Sequence, residues 1–292
     1  MADFLRPRID GRERLRAQLA GPDPVVAIGA HDALSARLAE QAGATAVYMT
    51  GFGVAASRTG RPDVGLLGLA EMVDSARSMV AAIDVPLVAD ADTGYGGPVN
   101  VIRTVQAYED AGVAAIQLED QTLPKRCGHM DGKSVIPAED MARKIEAAVQ
   151  ARRSDDFVVI ARTDSVATDS YEEAIRRSRM YGDAGADVLF VEAPGSREQI
   201  ASTPKDLAGH PVLFNWVEGG KTPDVDLDWL AECGFDLVIL PISGLLAATA
   251  AMQEAYRAIV TTGRPRTPDL DFGGFLGVIG LDELTALDRR FS

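Results

Sequence analysis

A chain of 292 residues, 47% hydrophobic and 25% charged, has material for one large α/β domain or two ordinary ones, and its evenly spaced elements favour one. Its 43 acidic against 29 basic residues leave a net charge of −14, and the absence of any Lys/Arg-rich run argues against nucleic acid or an anionic membrane as partner. Two distant cysteines, Cys127 and Cys233, a charged N-terminus without an apolar segment, and no apolar run near the roughly 18 residues of a membrane span argue against a disulfide scaffold, a secretory leader and a transmembrane chain, so a cytoplasmic protein is expected.

Residues 9–20 read as a helix able to close the bottom of a barrel. One pattern then recurs: an amphipathic helical stretch, a turn with Gly, and a short apolar strand ending in polar residues. Its clearest copies are QAGATAVYMTG (41–51), DAGVAAIQLED (110–120), DAGADVLFVEA (183–193) and ECGFDLVILPI (232–242). Gly after a last helical turn suits a left-handed cap, and such short apolar runs suit buried parallel strands. Between the copies lie VVAIG (25–29), PLVADAD (86–92), FVVIARTD (157–164) and PVLFNWV (211–217), which makes eight strand candidates. Helices are predicted near 33–42, 69–83, 98–112, 138–152, 171–184, 198–207, 226–233 and 243–260. Eight strand–helix units predict a (β/α)8 barrel over residues 1–262, with a doubly wound open sheet as the competing topology. The remainder, 263–292, reads as a breaker-rich linker and a C-terminal helix that packs on its own barrel or on a neighbouring subunit.

In such barrels the chemistry sits at the C-terminal ends of the strands. Those ends carry Thr50, Gly51 and Phe52; Asp90 and Asp92; Glu119 and Asp120; Arg162 and Asp164; Glu192; Asn215 and Glu218; Pro241 and Ser243. Carboxylates that converge repel one another, and oxygen-only ligands point to Mg²⁺, or Mn²⁺ in its place. Asp90 and Asp92 fall on one side of a strand by its period of two. Asp164 has a plainer expectation, capping the next helix, and Arg162 alone would suit a structural ion pair. A protein this acidic must also build any anion site locally.

After the fourth strand comes EDQTLPKRCGHMDGKSVIP (119–137). A cysteine beside Lys125 and Arg126 has a lowered pKa and can exchange a proton near neutral pH. Cys233 reads as a small hydrophobe. His31 and His210 read as structural. The stretch ADTGYGGPVN (91–100) lacks a phosphate-loop register and reads as a loop placing Asp92, and no spacing suits Zn²⁺.

Together these residues resemble the isocitrate lyase and phosphoenolpyruvate mutase superfamily over about residues 10–292. The resemblance rests on the loop Lys125-Arg126-Cys127-Gly128-His129, supported by Asp90-Ala91-Asp92-Thr93-Gly94-Tyr95-Gly96, Glu119-Asp120-Gln121, Ala161-Arg162-Thr163-Asp164 and Val191-Glu192-Ala193. It implies a Mg²⁺-dependent barrel whose eighth-helix region is exchanged between subunits of a homotetramer, a dimer of dimers. It also implies that Asp90 and Asp92 hold the metal with Asp63 and Glu119 in its shell. Thr50, Gly51, Phe52, Gly128, Arg162 and Asn215 would meet substrate oxygens. Cys127 would give a proton, His129 and Glu192 would assist, and Lys125 and Arg126 would supply the local positive field.

The chemistry this implies is retro-aldol cleavage of a carbon–carbon bond in a small anionic 2-hydroxy di- or tricarboxylate, giving pyruvate or a related oxo-acid. Mg²⁺ would act as a Lewis acid. Asn215-Trp216-Val217-Glu218-Gly219-Gly220-Lys221-Thr222-Pro223 and Thr50-Gly51-Phe52 depart from methylisocitrate lyases. They look closer to the branch of 2,3-dimethylmalate lyase and oxaloacetate hydrolase. A substituted malate is therefore expected ahead of 2-methylisocitrate, with oxaloacetate hydrolysis to oxalate and acetate, carboxyphosphonoenolpyruvate mutase-like carbon–phosphorus chemistry, and a non-catalytic barrel as alternatives.

Overall fold

The computed structural model describes Leu5 and residues 10–126, 132–220, 222–266 and 269–292. Eight parallel strands close into a barrel in sequence order: β1 (Val25–Ala30), β2 (Ala46–Met49), β3 (Leu87–Asp90), β4 (Ala115–Glu119), β5 (Val158–Thr163), β6 (Val188–Val191), β7 (Val212–Asn215) and β8 (Leu237–Leu240). β8 pairs with β1, with Val25 opposite Leu237, and that closure rules out the open sheet.

Ahead of the barrel lies α1 (Gly11–Leu19), and its fully buried Leu15 packs among the barrel-interior residues Val25, Ala46, Val158 and Leu237. The expected bottom-closing helix is therefore present. Truncating such a plug would cost about 2–5 kcal/mol. Arg16 ties the helix to the barrel by donating to Asp187 Oδ1 at 2.8 Å.

The surrounding helices follow the predicted order: α2 (Ala33–Gln41), α4 (Leu69–Ala82), α5 (Pro98–Asp110), α6 (Ala138–Ala151), α8 (Tyr171–Asp183), α9 (Arg197–Asp206), α10 (Leu227–Cys233) and α11 (Ser243–Thr262). Three further helices escaped the sequence reading: α3 (Gly51–Thr59), α7 (Ser165–Thr168) and α12 (Phe272–Val278), while the expected terminal helix is α13 (Leu281–Phe291). α3 was missed because two glycines and no apolar periodicity mark its first turn. Tertiary position overrides that weak propensity.

Strand alternation builds two cores. Outward residues such as Val47, Leu87, Ile116 and Leu189 join the helices in one cluster. Inward residues such as Ala27, Val88, Ile160, Phe190 and Ile239 fill the barrel. The inward rows of β3, β4, β5 and β6 continue upward as polar side chains, because side chains two apart share a face. Val88 is followed by Asp90, Gln117 by Glu119, Ile160 by Arg162, and Phe190 by Glu192.

α11 buries none of its 20 residues, and Leu246, Met252, Tyr256 and Val260 stand exposed along it. It ends at Gly263, whose φ of 71° is the left-handed conformation that glycine tolerates best. No helix among the described residues is long and apolar enough to cross a membrane.

Candidate active site

A cavity of about 560 Å³, its mouth included, opens at the C-terminal end of the barrel. Its floor is Tyr48, whose hydroxyl donates to Gln117 Oε1 at 2.8 Å. Thr50, Phe52, Asp63, Asp90, Glu119, Lys125, Arg126, Arg162, Glu192 and Asn215 form its polar wall, with Val217, Ile239, Pro241 and Ile242 on the apolar side. Ten of the expected site residues therefore line one cavity. Asp92 and Gly51 adjoin it through contacts with Lys125 and Asp90. Cys127, Gly128 and His129 lie outside the described residues.

Local structure explains the placement. Thr50 caps α3, its hydroxyl accepting from Gly53 N at 3.2 Å. Gly51 lets that helix start directly against Asp90, since a Cβ there would collide with the Asp90 carboxylate. The stretch after β3 is a loop, as expected: Asp92, Tyr95 and Gly94 all have positive φ, 49°, 58° and 80°. Among the contacts that hold it are Asp92 N to Asp90 Oδ1 at 2.9 Å and Lys144 Nζ to the Thr93 carbonyl at 2.5 Å.

Lys125 departs most from the sequence expectation. It was expected to lend positive field from the loop; instead its ammonium is buried, 2.6 Å from both Asp63 Oδ2 and Asp92 Oδ1. The Asp92 contact is an ion pair without hydrogen-bond direction, so this oxygen still lacks a hydrogen-bond partner. Burial raises the Asp92 carboxyl to about 6; Lys125 opposes the rise, and Asp90 and Asp63 add to it. Burial also drives Glu119 upward, with Arg162 and Lys125 opposing, and its Oε1 has no hydrogen-bond partner. Burial disfavours charged Lys125, but the surrounding Asp92, Asp90, Glu119 and Asp63 outweigh it and hold its pKa well above the ordinary value.

Among the described residues no three His, Cys, Asp or Glu side chains stand close enough to hold a metal ion, so the four expected ligands do not form a ready cage. Their chemistry nevertheless fits one. Asp63, Asp90, Asp92 and Glu119 gather buried carboxyls, Glu119 Oε1 has no hydrogen-bond partner, and a lysine ammonium already sits where the charge demands a cation.

Arg162 forms the opposite wall. Its Nε and Nη2 both donate to Asp164 at 2.9 Å. Asp164 is not the expected cap: it stands at the start of α7 but makes no side-chain cap bond, because Arg162 and Lys133 claim its oxygens. Burial alone would raise its carboxyl, yet the guanidinium of Arg162 and the ammonium of Lys133 bring it down to about 2. Asn215 Nδ2 donates to Glu192 Oε2 at 3.2 Å, which fixes that carboxylate 3.7 Å from Arg162.

His31 does not line this cavity, and His210 packs against Gly182. Glu218 instead contacts the Ser243 hydroxyl at the start of α11. The sequence reading missed Tyr48, Gln121 and Lys133. Gln121 pairs with the Arg126 peptide, accepting from its N–H at 2.9 Å and donating to its carbonyl at 2.8 Å. Tyr48, two positions before Thr50 on one strand face, was the detectable one.

A closed barrel with acids, two arginines and one lysine converging at its C-terminal rim has the layout of an enzyme active site. The phosphoenolpyruvate phosphomutase family profile matches residues 15–260. The chain is 42% identical over 282 residues to the 2,3-dimethylmalate lyase of Eubacterium barkeri, covering 96% of this chain and 97% of that one. It is 42% identical over 243 residues to the 2-methylisocitrate lyase of Bacillus subtilis (strain 168), covering 83% and 79% respectively. Among solved structures, an oxaloacetate acetylhydrolase in complex with the inhibitor 3,3-difluorooxalacetate superposes with a TM-score of 0.92 at 40% identity, covering 96% of each chain. The chain belongs to the phosphoenolpyruvate mutase/isocitrate lyase superfamily, which includes the carbon–carbon lyases it resembles along most of its length.

Proposed function

We propose that this protein is a Mg²⁺-dependent lyase that cleaves a substituted malate of the 2,3-dimethylmalate type to pyruvate, or a related oxo-acid, and a carboxylate. The observation that carries the reading is the division of one cavity into a carboxylate wall and an arginine wall, joined across Glu119, whose carboxylate lies 3.6 Å from Arg162. Near full-length similarity to a dimethylmalate lyase supports a small malate over the larger methylisocitrate.

Asp90 and Asp92, with Asp63 and Glu119 around them, would hold Mg²⁺ or Mn²⁺ once the Lys125 ammonium withdraws. That cation would draw electron density from the substrate's hydroxyl or carbonyl and neighbouring carboxylate. Arg162 binds a carboxylate, with Thr50, Gly51, Phe52 and Asn215 completing the contacts to substrate oxygens. Transfer of the hydroxyl proton to the Glu192 carboxylate lets the adjacent carbon–carbon bond break, the hydroxyl carbon becoming the keto carbon of the oxo-acid. The electron pair stays on the departing carbon as an enolate, and the Cys127 thiol protonates that carbon. Glu192 and His129 assist these proton movements, and Gly128 meets a substrate oxygen. Arg126, at the cavity wall, adds positive field.

The uncovered α11 and the exposed Phe272 and Phe291 beyond it support a homotetramer that exchanges this region between subunits, and the acidic surface suits the cytoplasm. The test is a panel of malates, 2-methylisocitrate and oxaloacetate with Mg²⁺. Pyruvate release from a substituted malate is expected. Oxalate release from oxaloacetate would instead assign the acetylhydrolase reaction, and inertness towards the whole panel would refute the proposal.

A further inference from the structure

Arg162 is crowded by carboxyls. Asp164 takes its Nε and Nη2 at 2.9 Å, Glu119 stands 3.6 Å from Nε, and Glu192 stands 3.7 Å from Nη1. Three carboxyls around one guanidinium make a poor receptor for an anion. A second cation alters that balance. Lys133 Nζ donates to Asp164 Oδ1 at 2.8 Å, the same oxygen that accepts Arg162 Nη2, and both partners' side chains are buried, 2% and 0% exposed. The backbone just after Lys133 is fixed, with Thr122 N donating to the Ser134 carbonyl at 2.9 Å and Ile136 N to the Asp120 carbonyl at 2.8 Å.

We propose that Lys133 is a positioning residue for anion binding: by sharing Asp164 it fixes that carboxylate across Nε and Nη2 of Arg162 and offsets its charge, leaving Arg162 able to receive a second carboxylate. A carboxylate offers about four lone-pair sites, so one Asp can serve a bidentate arginine and a lysine together. Without Lys133, Asp164 would compete fully with the substrate for the guanidinium. The inference rests on Arg162 being the anchor for a substrate carboxylate.

The probe is oxalate, titrated calorimetrically into the Mg²⁺-loaded protein. Lys133→Met is expected to weaken oxalate at least about tenfold, and Lys133→Arg to stay within about threefold of wild type, because a buried charge is felt strongly and an arginine restores it. Lys133→Met combined with Asp164→Asn removes one charge of each sign and is expected to recover most of the loss. A merely structural lysine would cost stability without weakening oxalate binding by the folded protein. With a turned-over malate, Lys133→Met raises KM far more than it lowers kcat. Should Lys133→Met not fold, Lys133→Gln, which keeps a donor but not the charge, carries the same expectation.

Wild-type affinity in the Lys133→Met protein, or a double variant no better than the single one, would overturn the inference while leaving the lyase reading intact. A wild-type protein that binds neither oxalate nor any malate would sink the anion site itself, and the inference with it.

Discussion

Replacing Asp164 by Asn tests the arginine wall through stability alone, before any substrate is known. In the folded protein the Asp164 carboxyl sits near 2 instead of 3.8: burial pushes it up, but Arg162 and Lys133 more than reverse that. That drop makes the ionised carboxylate worth roughly 2 kcal/mol of folding free energy. The sign follows from the depressed folded value. The contribution is present in full above the unfolded value near 4 and disappears as pH falls through about 2. Asp164→Asn should therefore lower stability by roughly 2 kcal/mol at pH 7, with further loss from leaving Arg162 short of its partner. The assay is urea denaturation of both proteins between pH 7 and pH 2.5. The gap should hold steady down to pH 5 and narrow below pH 4. A gap below about 0.5 kcal/mol at pH 7, or one that does not narrow with acid, would refute the assignment of Asp164 as an ionised partner of two cations.

Further outcomes concern the rest of the site. Gly51→Ala should reduce turnover at least about tenfold, since its methyl would displace the Asp90 carboxylate, and crystallography of the variant should show that carboxylate moved. Cys127→Ala should abolish turnover with its melting temperature within about 2 °C of wild type; a near-normal rate on the true substrate would remove the proton-donor role. Truncation after Thr262 should reduce the oligomer to a smaller species in analytical ultracentrifugation, because the residues beyond Gly263 include exposed Phe272, Leu281 and Phe291.

Much of this architecture was legible in the residues because period-two strands leave a direct record. Val88, Asp90 and Asp92, or Ile160, Arg162 and Asp164, spell the passage from barrel core to barrel rim, and Gly43, Gly112, Gly185 and Gly234 mark the turns between helix and strand with positive φ. Side-chain partnerships were less legible. Asp164 at a strand end looks like a helix cap until Lys133, 31 positions away, is found on its Oδ1. Lys125 in a charged loop looks like an exposed cation, yet it is drawn inward by Asp92, in the loop after β3, and by Asp63. Such pairings are set by tertiary closure and leave no local periodicity. α3 was hidden for a related reason: its glycine-rich start is dictated by the neighbouring Asp90, not by helix propensity.

The central claim is that the carboxylates of Asp63, Asp90, Asp92 and Glu119 form a dication site when Lys125 gives way. Manganese titration followed by electron paramagnetic resonance tests it most directly. One bound Mn²⁺ per chain is expected, displaced by Mg²⁺ and lost in Asp92→Ala. A wild-type protein that binds no Mn²⁺, or an Asp92→Ala variant that binds it as tightly, would contradict the account.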